Sequence, residues 1–186
     1  MIKDFDLLQR ANNDYTTIDL EHAEELAYRE LIDSIRYISL GDECGVMGNI
    51  ANIITYKGRF YIQEEQFDRV FIYDDTGRCL KKIDNKGRGP GEYLRIESID
   101  INTEKEELML VDGMSDKLFF YDLDGNFKSI HSIRYFQTEN TLCLRDSVFL
   151  HISAPSQNFG NEGLYGYALV LSKGNENFLK GYRYLP

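Results

Sequence analysis

The chain has 186 residues, 42% of them hydrophobic, which suits one domain with a real core and argues against disorder. Its formal net charge is −10 with the acids scattered along the chain, so nonspecific attraction to nucleic acid or to an anionic membrane surface is disfavoured. No run approaches the roughly 18 apolar residues that would span a bilayer, and the opening MIKDFDLLQRANNDY does not read as an export signal.

In chain order, IDLEHAEELAYRELIDSI has the residue types of a short helix, with apolar positions at Leu20, Ala23, Ala27 and Leu31, and residues 1–33 are set apart as an N-terminal segment. SIRYISL, residues 34–40, reads as a strand. A repeat follows at a spacing of 48. RFYIQEEQFDRVFIYDDTGRCLKKI overlies ELMLVDGMSDKLFFYDLDGNFKSIH, placing Asp68 on Asp116, Phe71 on Phe119, Tyr73 on Tyr121, Asp74 on Asp122 and Gly77 on Gly125. Each copy predicts four antiparallel strands: residues 50–56, 59–64, 69–73 and 78–83 in the first, then 98–101, 107–111, 117–121 and 126–131 in the second. A divergent third unit is built from CLRDSVFLHIS, GYALVLSKGN and NFLKGYRYL, with the polar loop 154–166 between its halves. A four-stranded sheet repeated at this period is the pattern of a propeller blade. The expected fold is therefore all-β, a partial β-propeller over residues 34–186 with blades at about 50–84, 96–132 and 142–184.

Between the first two units lies DNKGRGPGEYLRI. A phosphate loop would need Gly-Lys and then Ser or Thr opening a helix, whereas YLRIESIDI continues as strand. The mechanical reading is a corner: Pro90 and Gly91 turn the chain, Arg88 and Glu92 pair across it and Tyr93 packs beneath it. Its functional alternative is a weak ligand site at Arg88, Glu92 and Tyr93, where the guanidinium would hold an anion.

The string FIYDDTGRCLKKIDNKGRGPGEYLRIESIDINTEKEELMLVDGMSDKLFFYDLDGNFKSI resembles a six-bladed, NHL-like β-propeller family abundant in gut Bacteroidetes, in which an Asp-x-x-Gly strand end precedes a Gly-Arg-Gly-Pro-Gly-Glu-Tyr corner. The resemblance covers residues 31–132 well and the remainder loosely. It implies a noncatalytic binding or scaffold module for glycans or peptides, working in the periplasm or at the cell surface as a lipoprotein. Chains of that family are about twice as long. A truncated chain, a half-ring closed as a homodimer and an open ring are the three arrangements this leaves.

Catalytic and metal motifs are sparse. YDDTGR and YDLDGN overlap part of a calcium loop, but tight hairpin turns account for them without metal. His22, His131 and His151 are far apart, and Ser147, Ser153 and Ser156 lack a nucleophile elbow, so no catalytic residue, metal or cofactor is expected. Cys44, Cys79 and Cys143 show no CxxC spacing and read as three ordinary thiols. Glu64, Glu65, Asp112 and Asp116 read as solvated turn carboxylates, and Phe71, Tyr73, Phe119 and Tyr121 as core. The rival reading is a lactonase- or lyase-like enzyme with a metal in a central channel, for which the first strands offer Asn49, Asn52, Glu97, Asp100 and Arg145.

Overall fold

The computed structural model describes residues 32–133, 140–144, 147–152, 167–174 and 177–183. Residues 18–31 of the proposed helix, the loop 154–166 and Arg145 lie outside the described residues, and residues 32–35, its last positions, are not helical. Three four-stranded antiparallel sheets follow one another along the chain. Sheet 1 holds β1 (Ile50–Tyr56), β2 (Arg59–Glu64), β3 (Arg69–Asp74) and β4 (Cys79–Ile83). Sheet 2 holds β5 (Ser98–Asn102), β6 (Glu107–Asp112), β7 (Lys117–Asp122) and β8 (Phe127–Ser132), and sheet 3 holds β9 (Asn140–Cys143), β10 (Val148–Ile152), β11 (Tyr167–Lys173) and β12 (Asn177–Arg183). Each is a plain meander in which every strand pairs with its neighbour in sequence. No helix among the described residues is long and apolar enough to cross a membrane.

The turns explain why the two repeat copies fold alike. At the β3–β4 turn, Asp74 Oδ1 accepts from the backbone N–H groups of Thr76 at 2.9 Å and Arg78 at 3.1 Å. At the β7–β8 turn, Asp122 Oδ1 accepts from Asp124 at 3.0 Å and Asn126 at 2.8 Å. Such side-chain caps are what favour Asp in hairpin turns. The register also shifts at the same repeat position, between Ile72 and Tyr73 in one copy and between Phe120 and Tyr121 in the other. These carboxylates are committed to holding backbone, as the hairpin reading expects.

The sheets stack face to face. Tyr61, Val70, Ile72 and Ile83 of sheet 1 pack on Ile99, Leu108, Leu110, Phe119 and Tyr121 of sheet 2, with Tyr93 and Ile96 at the margin. The opposite face of sheet 2, with Met109, Val111, Leu118 and Phe120, packs on Phe149 and Val170 of sheet 3. Sheet 2 is thus buried on both faces, which is why ELMLVD and KLFFYD run apolar without alternation. The first strands of the three sheets are neighbours, β1 touching β5 and β5 touching β9.

Three expectations are corrected. Residues 34–40 form no strand. They cross the β3–β4 turn instead of running along a strand edge, Arg36 donating to Asp75 O and Gly41 N to Gly77 O, so no ladder can form. Cys44 and Cys79 are joined in a disulfide with their Cα atoms 5.9 Å apart, leaving Cys143 as the free thiol. A separation of 35 residues hid a contact that only folding creates. Glu64 and Asp112 are fully buried instead of solvated. Glu64 pairs with Arg69 at 2.9 Å, and Asp112 accepts from Leu94 N at 2.7 Å and Ser115 Oγ at 2.6 Å. Their positions at strand ends are those expected, but Asp112 caps the turn that follows it, accepting from Met114 N and Ser115 N, and Glu64 is covered together with its Arg69 partner. Glu65 and Asp116 are exposed, as read from the sequence.

Candidate functional site

The corner between sheets 1 and 2 is built by its own backbone. Gly87 N donates to Tyr93 O at 2.9 Å, Tyr93 N to Asn85 O at 3.2 Å and Glu92 N to Gly89 O at 3.1 Å. Gly91 takes a φ of 83°, a conformation that favours glycine. A Cβ on Gly87 would meet the Glu92 carboxylate, so a side chain there would push Glu92 aside. Glu92 Oε2 accepts from Gly89 N at 2.7 Å and so caps the turn, in place of the expected pair with Arg88. Arg88 is exposed. Tyr93 is buried as expected, its hydroxyl donating to Asp68 O at 2.8 Å and accepting from Asn85 N at 3.1 Å. Burial pushes its phenol far above the ordinary range, so it stays a neutral strut.

A cleft of about 360 Å³ opens beside the corner, where β1 begins, β2 ends and the chain enters β5. Its polar walls include Asn49, Gln63, Glu65, Gln66, Arg95 and Glu97. Two buried side chains fix its floor. Gln63 Nε2 donates to Ile96 O at 3.0 Å and to Glu97 O at 3.3 Å, tying β2 to the strand entering sheet 2. Asp68 accepts from Ile96 N at 3.1 Å through one oxygen and pairs with Lys86 through the other. Arg95 and Glu97 stand 3.4 Å apart at the rim. Beside Gln66, Phe67 is half exposed, with the Arg69 guanidinium 4.5 Å from its ring centre.

The sequence-derived set is therefore divided. The corner reaches the cleft at its C-terminal end through Arg95 and Ile96, and Lys86 at its other end touches it only through its pair with Asp68, whereas the Arg88–Glu92 tip does not line it. Of the channel candidates, Asn49 and Glu97 both line the cleft. Asp100 is engaged elsewhere: its Oδ2 accepts from Cys143 N at 2.5 Å, and burial raises its carboxyl above the usual range. Asn52 is not among the residues lining the cleft. No group of three His, Cys, Asp or Glu side chains converges as a metal site among the described residues. Gln63, Asp68 and Arg95 were missed by sequence reasoning. The usable signal was Gln63 itself, a polar residue two positions after Tyr61 on the inward face of β2.

A second polar cluster is sealed in the core. His151 Nδ1 lies 3.0 Å from Thr141 Oγ1 and Nε2 lies 2.8 Å from Ser172 Oγ, an arrangement with the outline of a catalytic triad. All three are buried on the face of sheet 3 that carries Phe149 and Val170. Burial lowers the imidazole to about 4, so it is neutral near pH 7. The hydroxyl is out of a substrate's reach, and the cluster is a satisfied polar layer between sheets.

The fold and cleft define an all-β protein of stacked four-stranded meander sheets with a polar opening at one end. The chain belongs to the family described as Domain of unknown function (DUF4934), whose profile matches residues 15–183. It shares its fold with a "Putative exported protein (BF0058)" of Bacteroides fragilis NCTC 9343, at 19% identity and a TM-score of 0.72, over 82% of this chain and 43% of the other. U3-55K is more distant, at 11% identity and a TM-score of 0.51, over 72% of this chain and 39% of the other. The chain thus spans less than half the length of these solved structures. No curated protein matches the sequence.

Proposed function

We propose that this chain is a noncatalytic binding module, its three sheets acting as blades of a partial β-propeller over residues 34–186 and its cleft taking a polar ligand of the glycan or peptide class. The observation that carries the reading is the cleft itself. Its volume of about 360 Å³ falls at the small end of ligand pockets, and its walls set amides and carboxylates beside the apolar Ala51 and Ile96. Such walls suit a ligand that presents hydroxyls or amides, and half-exposed Phe67 offers a stacking face beside them. The neighbouring first strands support the blade arrangement, and the exported Bacteroides neighbour supports a periplasmic or surface location. A homodimer that closes the ring remains part of this proposal.

Calorimetric titration with a panel of oligosaccharides and short peptides tests it. A binder whose affinity falls at least tenfold in Gln66→Ala and Glu97→Ala, and stays unchanged in Arg88→Ala, supports the cleft. Loss only in Arg88→Ala would move the site to the corner. The metal-enzyme reading has one observation in its favour, that Asn49 and Glu97 both line the cleft. It requires calcium, zinc or magnesium to raise the melting temperature; the expected shift is nil.

A further inference from the structure

The repeat has two kinds of face. In each copy one set of side chains points to the following sheet, Tyr61, Val70 and Ile72 in sheet 1 and Met109, Leu118 and Phe120 in sheet 2. The other set points backwards: Ile62, Phe71 and Tyr73 in sheet 1, and Leu110, Phe119 and Tyr121 in sheet 2. Sheet 1 itself covers the backward face of sheet 2. No sheet precedes sheet 1 among the described residues, yet Ile62, Phe71 and Tyr73 are as buried as their counterparts. Cys44 and Met47, from the segment before β1, pack over them.

That segment, residues 41–48, is held at several points. Gly41 N donates to Gly77 O at 2.8 Å, Tyr73 Oη donates to Gly41 O at 3.3 Å, and Cys79 N donates to Glu43 Oε2 at 3.2 Å. The glycine pair shows the two covers in equivalent places. A Cβ on Gly125 would meet Ile72 and Lys81 of sheet 1 at 2.9 Å, and a Cβ on Gly77, its repeat partner, would meet Ser39 O at 2.1 Å. Both turns press against a covering layer, a sheet in one case and the two residues leading into the segment, Ile38 and Ser39, in the other.

We propose that the Cys44–Cys79 disulfide is a redox latch, locking residues 41–48 as a strap over the face that sheet 1 would otherwise present to another sheet. Closing the latch removes two protons and two electrons from the two thiols and passes them to a small-molecule disulfide such as oxidised glutathione, which leaves as two thiols. A dithiol reductant reverses the exchange. Bonds of this kind persist in oxidising compartments outside the cytoplasm. The latch requires no ligand in the cleft, so it stands or falls apart from the proposed binding function.

The test is hydrogen exchange of the intact chain, oxidised and then treated with dithiothreitol, with thiols counted in denaturant. The oxidised protein should show one titratable thiol and the reduced protein three. Reduction should speed exchange at 41–48 and in Phe71–Tyr73 at least tenfold, leave Leu118–Phe120 protected, and lower the melting temperature on the order of 10 °C for a loop of this length. Cys44→Ser with Cys79→Ser should reproduce the reduced pattern, and Cys143→Ser should not. Three thiols after refolding with oxidised glutathione, or a strap whose protection is unchanged by reduction, would overturn the proposal. Uniform loss of protection across all three sheets would overturn it too, since the bond would then hold the whole fold and not the strap.

Discussion

Sheets 1 and 2 carry the same repeat and differ in what covers their backward faces. Phe119 and Tyr121 lie under a four-stranded sheet whose own strands are tied by ladders, whereas Phe71 and Tyr73 lie under a short strap tied by one disulfide and a few hydrogen bonds. Equal burial of the aromatics hides this inequality, because burial measures water exclusion and not the stability of what excludes the water. The lesson is that a repeat specifies a face and leaves open which element satisfies it.

The largest effect should come from removing that aromatic in each copy. Phe119→Ala and Phe71→Ala should each cost about 3–5 kcal/mol in the oxidised protein, as fully buried Phe truncations do. In the Cys44→Ser, Cys79→Ser background the two should separate: Phe119→Ala keeps its cost, and Phe71→Ala becomes cheaper because its cover already opens. A double-mutant cycle by denaturant unfolding measures this, and strict additivity for Phe71 would erase the contrast between strap and sheet.

The interface between sheets 2 and 3 adds a third kind of cover, one with a buried imidazole. The His151 value is lowered to about 4 in the folded chain against 6.5 for the free group, so the unfolded chain binds the extra proton between those limits. Stability should therefore be full above about pH 6.5, fall as pH drops through the window and stop falling from this source below about 4, for a loss on the order of 3 kcal/mol. The difference between wild type and His151→Asn, followed by urea unfolding from pH 7 to 4, isolates it from the carboxylates. A parallel pair of curves would mean that His151 titrates normally.

Much of this architecture was legible in the sequence. The predicted strands of the two repeat copies fall within one residue of those observed, because each strand is a short run rich in apolar residues set between polar turn residues, with Asp-x-x-Gly at the β3–β4 and β7–β8 turns. What escaped was whatever depends on contacts between distant segments. Nothing in SIRYISL says that its partners will be turn carbonyls, and nothing near Cys44 points to Cys79. The corner string drew attention to Arg88 and Glu92 because it is unusual, yet its unusual glycines serve the turn. The cleft is assembled from ordinary residues such as Gln63 and Asp68 that only the stacking of sheets brings together.

A subtler version of the contrast lies at the paired glycines. Gly77 and Gly125 have φ of 88° and 80°, so alanine strains both backbones by about 1–2 kcal/mol. The added methyl group differs in what it strikes. At position 125 it meets side-chain atoms, Ile72 Cδ1 and Lys81 Cγ; at position 77 it meets the backbone carbonyl of Ser39, just ahead of the strap, which moves only if that backbone moves. Gly77→Ala should therefore raise exchange at residues 39–48 while Gly125→Ala leaves sheet 1 protected. Equal, purely local effects would indicate that the strap tolerates displacement.

The smallest effects should fall where the copies are truly equivalent. Asp74 and Asp122 cap their turns by the same bonds, and those bonds to the carboxylate hold both side chains below the usual range. Hydrogen bonding to Thr76 is the leading cause at Asp74, while at Asp122 the bonds from Asn126 and Asp124 outweigh its desolvation. A depressed carboxylate adds stability that is present above its unfolded value and is lost as pH falls through the folded one. Asp74→Ala and Asp122→Ala should thus produce small and similar drops in melting temperature at pH 7, and both drops should shrink toward nothing in acid, where the carboxyl is protonated and caps poorly. The bonds to each carboxylate come from within its own turn, so latch reduction should change the two values equally even though residues 36–41 cross the β3–β4 turn. If reduction instead enlarges the Asp74→Ala effect alone, the strap is bracing the turn through Arg36 and Gly41 as well as covering the face.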